Sequence, residues 1–157
     1  MKTATSKKSK VTVLEAYSAV VEAFIQRVGF DPKTSRLEGN GKESAGWRIQ
    51  RGSAPIYIYL EDSGETNTLR IESPILYLPP ENILPFYRKC LELNNQLRDC
   101  ALAVRDDFIL LVSDRPLEGL TPEEVAQNID FLAVSADNLD DELAKEFGAK
   151  LFSEANS

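Results

Sequence analysis

The feature that most constrains the fold of this chain is a run of three segments, between residues 47 and 72, in which apolar and polar side chains alternate. Alternation with a period of two places the apolar side chains on one face of a β-strand and the polar ones on the other. Short turns rich in Gly, Ser, Asp and Pro, at residues 52–55 and 62–65, separate the segments. The pattern predicts an antiparallel three-stranded meander with one face on the core, formed by Trp47, Ile49, Ile56, Ile58, Leu60, Leu69 and Ile71.

Three helices are predicted around this meander, each from apolar residues that recur at spacings of three and four. The first covers about residues 11–28 and is followed by a predicted loop over residues 31–45. The second begins between Glu81 and Pro85 and ends near residues 94–95. The third opens with a capping box from Thr121 to Glu124 and extends for up to ~27 residues, with Gly148 as its predicted cap. Weaker helix formers at residues 135–141 leave open whether it is continuous.

A second hairpin is predicted from a strand at residues 100–104, a turn at residues 105–107 and a strand at residues 108–112. The last strand is apolar on both faces and therefore needs cover on both sides. A helix supplies one cover, and a second subunit is a natural source of the other. Between the meander and this hairpin, Pro74 is predicted to end the ladder or to lie at a bulge or an edge.

The predicted fold class is α+β, in one domain of order α-βββ-α-ββ-α with an antiparallel sheet and helices packed on it. A chain of 157 residues is long enough for one full hydrophobic core and short for two. The predicted domain covers residues 11–150. Residues 1–10 are predicted to be a disordered basic tail and residues 151–157 a flexible C-terminal tail.

The amino-acid composition excludes several kinds of catalytic and metal-binding site. The chain has no histidine and only two cysteines, Cys90 and Cys100. Histidine-dependent triads, most catalytic zinc sites and thiolate metal sites are therefore excluded. We predict free thiols, no catalytic residues, no metal site and no cofactor.

Charge and hydropathy limit the partners. Four lysines lie in the first ten positions, so the rest of the chain carries 14 basic and 25 acidic side chains. An acidic body repels phosphate backbones, which predicts that nucleic acid is not a partner. No apolar run approaches the ~20 residues of a membrane helix, and the N-terminus lacks the apolar stretch of a signal peptide. The sequence predicts a cytoplasmic protein without membrane insertion.

Acidic residues late in the chain are predicted to form a solvated helix face. The alternating ligands and glycine bend of a calcium loop are missing there. Twenty-five acidic residues allow many glycosidase-like carboxylate pairs, and none stands out. The acidic cluster comprises Asp137, Asp140, Asp141 and Glu142.

The polar face of the meander is the candidate surface for a protein partner. Paired tyrosines flanked by arginines have the composition of binding surfaces. The alternatives are that Tyr57 and Tyr59 merely suit a strand, or that the chain's own tail covers them. The partner-binding candidates are Arg48, Gln50, Tyr57, Tyr59, Arg70 and Glu72.

Five short segments and the order of the elements resemble a YbjN-domain protein of the cyanobacterial type, over about residues 13–147. The segments are Trp-Arg-Ile at residues 47–49, Ser-Pro-Ile through Pro-Pro at 73–80, Leu-Glu-Leu-Asn at 91–94, Phe-Ile-Leu-Leu-Val at 108–112 and Thr-Pro-Glu-Glu at 121–124. In fold, this family is similar to class I chaperones of type III secretion, which are small acidic homodimers that hold a partner polypeptide along their surface. The resemblance implies a dimeric binding module without a cofactor; its members are often described as sensory-transduction regulators.

The second helix and the two-faced strand supply the candidates for a dimer interface, although the same side chains would equally form the core of one monomer. The predicted function is a non-enzymatic, homodimeric protein-binding module with a chaperone-like or regulatory role. The alternative is a small-molecule-sensing regulator or a hydrolase, which predicts a concave pocket with convergent polar groups. The dimer candidates are Phe86, Tyr87, Cys90, Leu91, Ile109 and Leu111.

Overall fold

The computed structural model describes residues 12–38 and 44–152, in which a five-stranded antiparallel sheet is accompanied by four helices. The elements are α1 (Val13–Arg27), α2 (Pro32–Ser35), β1 (Ser44–Arg51), β2 (Ala54–Asp62), β3 (Asn67–Tyr77), α3 (Ile83–Asn94), β4 (Ala101–Arg105), β5 (Phe108–Pro116) and α4 (Pro122–Phe147). The strand order in the sheet is β1-β2-β3-β5-β4.

The predicted class and element order are confirmed, with one addition. Residues within the predicted loop 31–45 form the one-turn helix α2, because Asp31 caps the Lys33 N–H and proline occupies the first helical position.

The core lies between one face of the sheet and the helices α1 and α4. Trp47, Ile58 and Ile71 are directly opposed on β1, β2 and β3, and all three are fully buried. Burying one such aliphatic side chain contributes about 1.5–3 kcal/mol relative to its exposure. The alternation in the sequence thus identified the inner face correctly.

Helix α4 is continuous over 26 residues, which answers the question left open at residues 135–141. The weak helix formers stay helical because Ala136, Leu139 and Leu143 are buried in the core, and packing of an apolar face outweighs local propensity. The capping box at Thr121 and the left-handed cap at Gly148 form as predicted. Across the described ranges, no helix has the length and apolar content needed to cross a bilayer.

The acidic cluster on α4 is only partly a solvated face. Asp137 is exposed, but Asp140 is 2% exposed and lies against the turn between β1 and β2. The prediction was wrong for Asp140, because a hairpin that is distant in sequence docks on this stretch of the helix.

Strand β3 continues through Pro74 to Tyr77, because a β-bulge accommodates the proline within the strand. The register between β3 and β5 shifts between Pro74 and Leu76, as expected where a residue that cannot donate a ladder hydrogen bond lies inside a strand. The bulge was one of the alternatives that the sequence left open.

The chain after α4 pairs with the end of β3. Tyr77 N–H donates to the Lys150 carbonyl (2.9 Å), and Phe152 N–H donates to the Ile75 carbonyl (3.0 Å). Residues 151 and 152 of the predicted C-terminal tail are therefore bonded to the sheet. Its residues 153–157, the basic N-terminal tail and residues 39–43 lie outside the described residues.

Strand β5 carries apolar side chains on both faces, and its own chain covers both. Ile109 and Leu111 point into the core. On the opposite face, Leu110 is 1% exposed within the single chain, and the Phe108 ring contacts the Phe152 ring at 5.3 Å between centroids. A second subunit is not needed to cover Leu110, which corrects the prediction.

Candidate functional site

The face of the sheet that points away from α1 and α4, here called the outer face, gathers polar and aromatic side chains from all five strands. Directly opposed residues of an antiparallel ladder share a face. The pairings place two rows side by side. One row is Gly46, Tyr59, Arg70 and Asp114, and the next is Arg48, Tyr57, Glu72 and Val112.

Tyr57 and Tyr59 form a stacked pair at the centre of this face. Their ring centroids are 6.3 Å apart and the ring planes differ by 6°. Both side chains are half-buried. Partial burial, followed by the nearby Glu72 carboxylate, raises the pKa of Tyr59 above its ordinary value, so its phenol stays protonated and can donate a hydrogen bond.

Glu72 is the hub of an ion network beside the tyrosines. Arg105 donates Nη1 to Oε2 (2.9 Å) and Nη2 to Oε1 (2.7 Å), and Arg70 donates Nε to Oε1 (2.6 Å). Arg70 also donates Nη1 to Asp114 Oδ2. The hydrogen bond from Arg105 is the main reason that the pKa of Glu72 lies below its ordinary value, even though burial opposes the shift. The network holds β3, β4 and β5 together on the outer face.

The edge of the outer face on β1 is tied to the turn that follows. Arg48 donates from Nη2 to Gln50 Oε1 (3.2 Å), and Gln50 donates from Nε2 to the Gly52 carbonyl (3.2 Å). These contacts link two partner-binding candidates to the β1–β2 turn.

All six predicted partner-binding candidates lie on the outer face, which brings them together as the alternation required. Two members of the site were missed. Arg105 was placed in a turn, and Asp114 lies beyond the predicted end of the last strand. Beyond Val112, Ser113 is buried and Asp114 is exposed; both residues are polar, so the sequence pattern did not indicate that the strand continues to Asp114.

The dimer candidates separate into two groups. Phe86, Cys90, Ile109 and Leu111 are buried inside the single chain and offer no contact surface. Tyr87 is half-buried and Leu91 is 69% exposed. The sequence did not single out two apolar neighbours of this region, Leu84 (76% exposed) and Val104 (49% exposed).

These side chains form an apolar surface on α3 and β4, here called the α3 surface. Tyr87 and Leu91 line a shallow cavity of about 300 Å³ together with β4 residues that include Val104. The side chain of Asn94 accepts from the Leu102 N–H (2.7 Å) and donates to the Leu102 carbonyl (3.2 Å). Asn94 thereby occupies the outward backbone groups of Leu102, the second residue of the edge strand β4.

The described residues contain no group of three or more carboxylate and thiol side chains arranged to hold a metal ion. Cys90 and Cys100 are free thiols, and burial raises the pKa of each to about 11. Each thiol is thus protonated and a weak nucleophile at neutral pH.

The comparisons place this arrangement in a known group. A family model described as "T3SS (YopN, CesT) and YbjN peptide-binding chaperone 1", TY-Chap1, matches residues 15–155. The chain belongs to the TY-Chap1 family. This confirms the resemblance on which the sequence analysis relied. Comparison with curated proteins gives no match.

Solved structures with this TY-Chap1 fold include three complexes. A chain of the ExsC-ExsE complex superposes with a TM-score of 0.60 at 15% identity, over 83% of this chain and 96% of that one. A chain of the HopA1-SchA chaperone-effector complex gives 0.51 at 14%, over 80% and 93%. The Yersinia pestis type III secretion chaperone SycH, in complex with a fragment of YscM2, gives 0.51 at 21%, over 78% and 98%. At these identities the likeness shows the fold.

Proposed function

We propose that this chain is a non-enzymatic binding module that holds an extended peptide segment of a partner protein on the outer face. The observation that carries the proposal is the stacked, half-exposed pair of Tyr57 and Tyr59. The pair lies beside the Glu72 carboxylate, whose charge is already neutralised by two arginines. Aromatic rings offer large apolar area at a small cost in side-chain entropy. The description of the family as peptide-binding chaperones supports the same role.

The outer face is organised before a peptide arrives. Glu72 is held by Arg105 and Arg70, so a bound segment does not need to break a buried pair or order those side chains. The segment would lie across the rings of Tyr57 and Tyr59 and bury apolar side chains there. The acidic body of the protein favours partners with basic residues on either side of that segment.

The α3 surface is the proposed interface of a homodimer. Leu84 and Leu91 lie one above the other on α3, flanked by the exposed ion pair of Arg88 and Glu92 (2.9 Å). A two-fold axis that brings two α3 helices together antiparallel sets Arg88 of each copy near Glu92 of the other, which makes the surface self-complementary. Because Asn94 occupies the edge of β4, the copies would meet through side chains and not by extending the sheet.

The alternative of a small-molecule sensor or hydrolase predicts perturbed carboxylates that converge on a cavity. The perturbed carboxylates among the described residues are instead held by protein groups: Glu72 by two arginines, and Asp137 and Asp140 by Ser53. This contrast favours the binding module. A cytoplasmic location and a regulatory role remain predictions from the sequence.

The test is selection of extended peptides from a random phage-displayed library, followed by titration of the selected peptides. The Tyr57→Ser/Tyr59→Ser variant is expected to bind at least about 10-fold more weakly, as loss of aromatic anchors usually costs 1 kcal/mol or more. The double Phe variant should retain most of the affinity. Val13→Ser, which alters an exposed apolar residue on α1, is the matched control.

Thermal unfolding establishes that each variant is folded before binding is compared. Equal affinity of the wild type and the double Ser variant would contradict the proposed site. Failure of the library to yield any binder would contradict the proposed function itself.

A further inference from the structure

The β1–β2 turn is docked on the middle of α4 by one serine and two aspartates. Ser53 Oγ lies 2.9 Å from Oδ1 of Asp137 and 2.5 Å from Oδ2 of Asp140, and the Ser53 N–H donates to Asp137 Oδ1 at 3.0 Å. Asp140 is buried, whereas Asp137 is exposed. The turn therefore meets the helix at two carboxyl groups that share a single hydroxyl.

The hydroxyl of Ser53 supplies too few hydrogens to bond both Asp137 and Asp140 when both carboxyl groups are ionised. A serine hydroxyl carries one hydrogen and can donate it to only one carboxylate at a time. If both aspartates were ionised, one carboxylate oxygen would face Ser53 Oγ at hydrogen-bond distance with no hydrogen between them. If Asp140 is protonated, its O–H donates to Ser53 Oγ and the Ser53 O–H donates to Asp137. Both distances are then those of ordinary O–H···O bonds.

The electrostatic surroundings also favour protonation of Asp140. Burial, reinforced by the neighbouring acidic side chains of Asp137 and Asp141, raises the pKa of Asp140. The backbone and hydroxyl of Ser53 lower the pKa of Asp137. Arg51, which comes just before the turn, has its guanidinium paired with Asp130 (3.1 Å).

We propose that the docked turn binds one proton, held between Asp140 Oδ2 and Ser53 Oγ, and that loss of this proton loosens the turn from α4. The turn also carries the Gly52 carbonyl that accepts from Gln50, which in turn accepts from Arg48 on the outer face. The protonation of Asp140 is thus coupled to the β1 edge of that face. Only this last consequence rests on the proposed peptide-binding function.

Side-chain NMR titration of the full chain tests the proton directly. The Asp140 carboxyl is expected to titrate above the ordinary aspartate value of 3.8 and above Asp137. Titration of Asp140 at or below Asp137 would overturn the proposal.

Urea unfolding as a function of pH tests the consequence for stability. A group whose folded pKa is raised stabilises the fold fully below its unfolded pKa, and this contribution is lost as pH rises through the folded pKa. The wild-type urea midpoint should therefore fall, relative to that of Asp140→Asn, as the pH rises above 3.8 and through the folded pKa of Asp140. The Asn amide donates to Ser53 without titrating. Glu142→Gln, which changes an exposed acidic side chain on the same helix, is the matched control and should keep the wild-type dependence. Parallel curves for the wild type and Asp140→Asn would contradict the proposal, whatever the peptide experiment shows.

Discussion

Arg105 on β4 and Glu72 on β3 form a two-point ion pair that crosses the intervening strand β5, with Nη–Oε distances of 2.7 and 2.9 Å. The Arg105 side chain must pass over β5 to reach Glu72, and Leu110 on that strand is buried. The pair therefore both neutralises Glu72 and contributes to the cover of the two-faced strand. A two-pronged arginine–carboxylate contact is stronger and more specific in geometry than a single hydrogen bond.

Replacement of Glu72 by Gln is expected to destabilise the protein by about 2 kcal/mol, because hydrogen bonds to charged groups contribute about 1.5–3 kcal/mol and two arginines lose their carboxylate. Urea unfolding at pH 7 measures the change. Glu22→Gln is the control, since Glu22 also pairs with an arginine, Arg36 (3.6 Å), and the two side chains are 42% and 43% exposed. It should change stability by less than about 0.5 kcal/mol. Equal effects of the two substitutions would show that the network adds nothing.

The contribution of Glu72 should depend on pH in the direction set by its lowered pKa. A group with a lowered folded pKa stabilises the fold above its unfolded pKa, near 4.5, and this stability is lost as pH falls through the folded pKa. The difference in unfolding free energy between the wild type and Glu72→Gln should thus shrink on acidification below pH 4.5. A constant difference across that range would contradict the assignment of the ionised carboxylate as the stabilising form.

Gly52→Ala is expected to cost more than Gly64→Ala, although both glycines lie in hairpin turns with positive φ. A left-handed conformation costs a non-glycine residue about 1–2 kcal/mol. At Gly64 nothing lies within 4 Å of a Cβ, whereas at Gly52 a Cβ would lie 2.7 Å from Asp137 Cγ. Chemical denaturation should rank the two variants accordingly. The reverse order would show that the turn does not dock on α4 as described.

The two thiols should react slowly with a disulfide reagent such as DTNB in the folded protein. With each pKa raised from 9.0 to about 11, the thiolate fraction at pH 8 is about 100-fold lower than for an exposed cysteine, and thiolate is the reactive form. Rates measured in the native protein and in urea give the comparison. Native reaction at the unfolded rate would contradict the burial of Cys90 and Cys100.

Disruption of the α3 surface should convert the proposed dimer to monomer. Leu84→Glu/Leu91→Glu places like charges on both sides of the two-fold interface and is expected to weaken association at least about 100-fold. Sedimentation velocity over a concentration series measures the change. Val13→Glu is the control, because Val13 is also an exposed apolar residue (51%) but lies on a different helix. A monomeric wild type at all concentrations would contradict the dimer.

Much of the fold was predictable because its signals are local. The strands of the meander follow from alternation, and the start of α4 follows from a capping box within four residues. The six partner-binding candidates were placed on one face for the same reason, because alternation assigns a face before the neighbours are known. The C-terminal ends of β3 and β5 were predicted too early in the sequence. The bulge at Pro74 and the part of β5 beyond Val112 depend on pairing between strands, which a local pattern does not show.

The sequence by itself determined the order of the five strands and three main helices, which side of each meander strand is apolar, and that histidine chemistry is excluded. Only the tertiary structure decided which polar groups meet. Glu72 and Arg105 are 33 positions apart, and Ser53 and Asp140 are 87 apart. No local pattern predicts such contacts, because they depend on the order of strands in the sheet and on where α4 crosses it. For the same reason, only the structure could separate Leu91, which is exposed, from Phe86 and Cys90, which lie on the same apolar stripe of the sequence and are buried in the core.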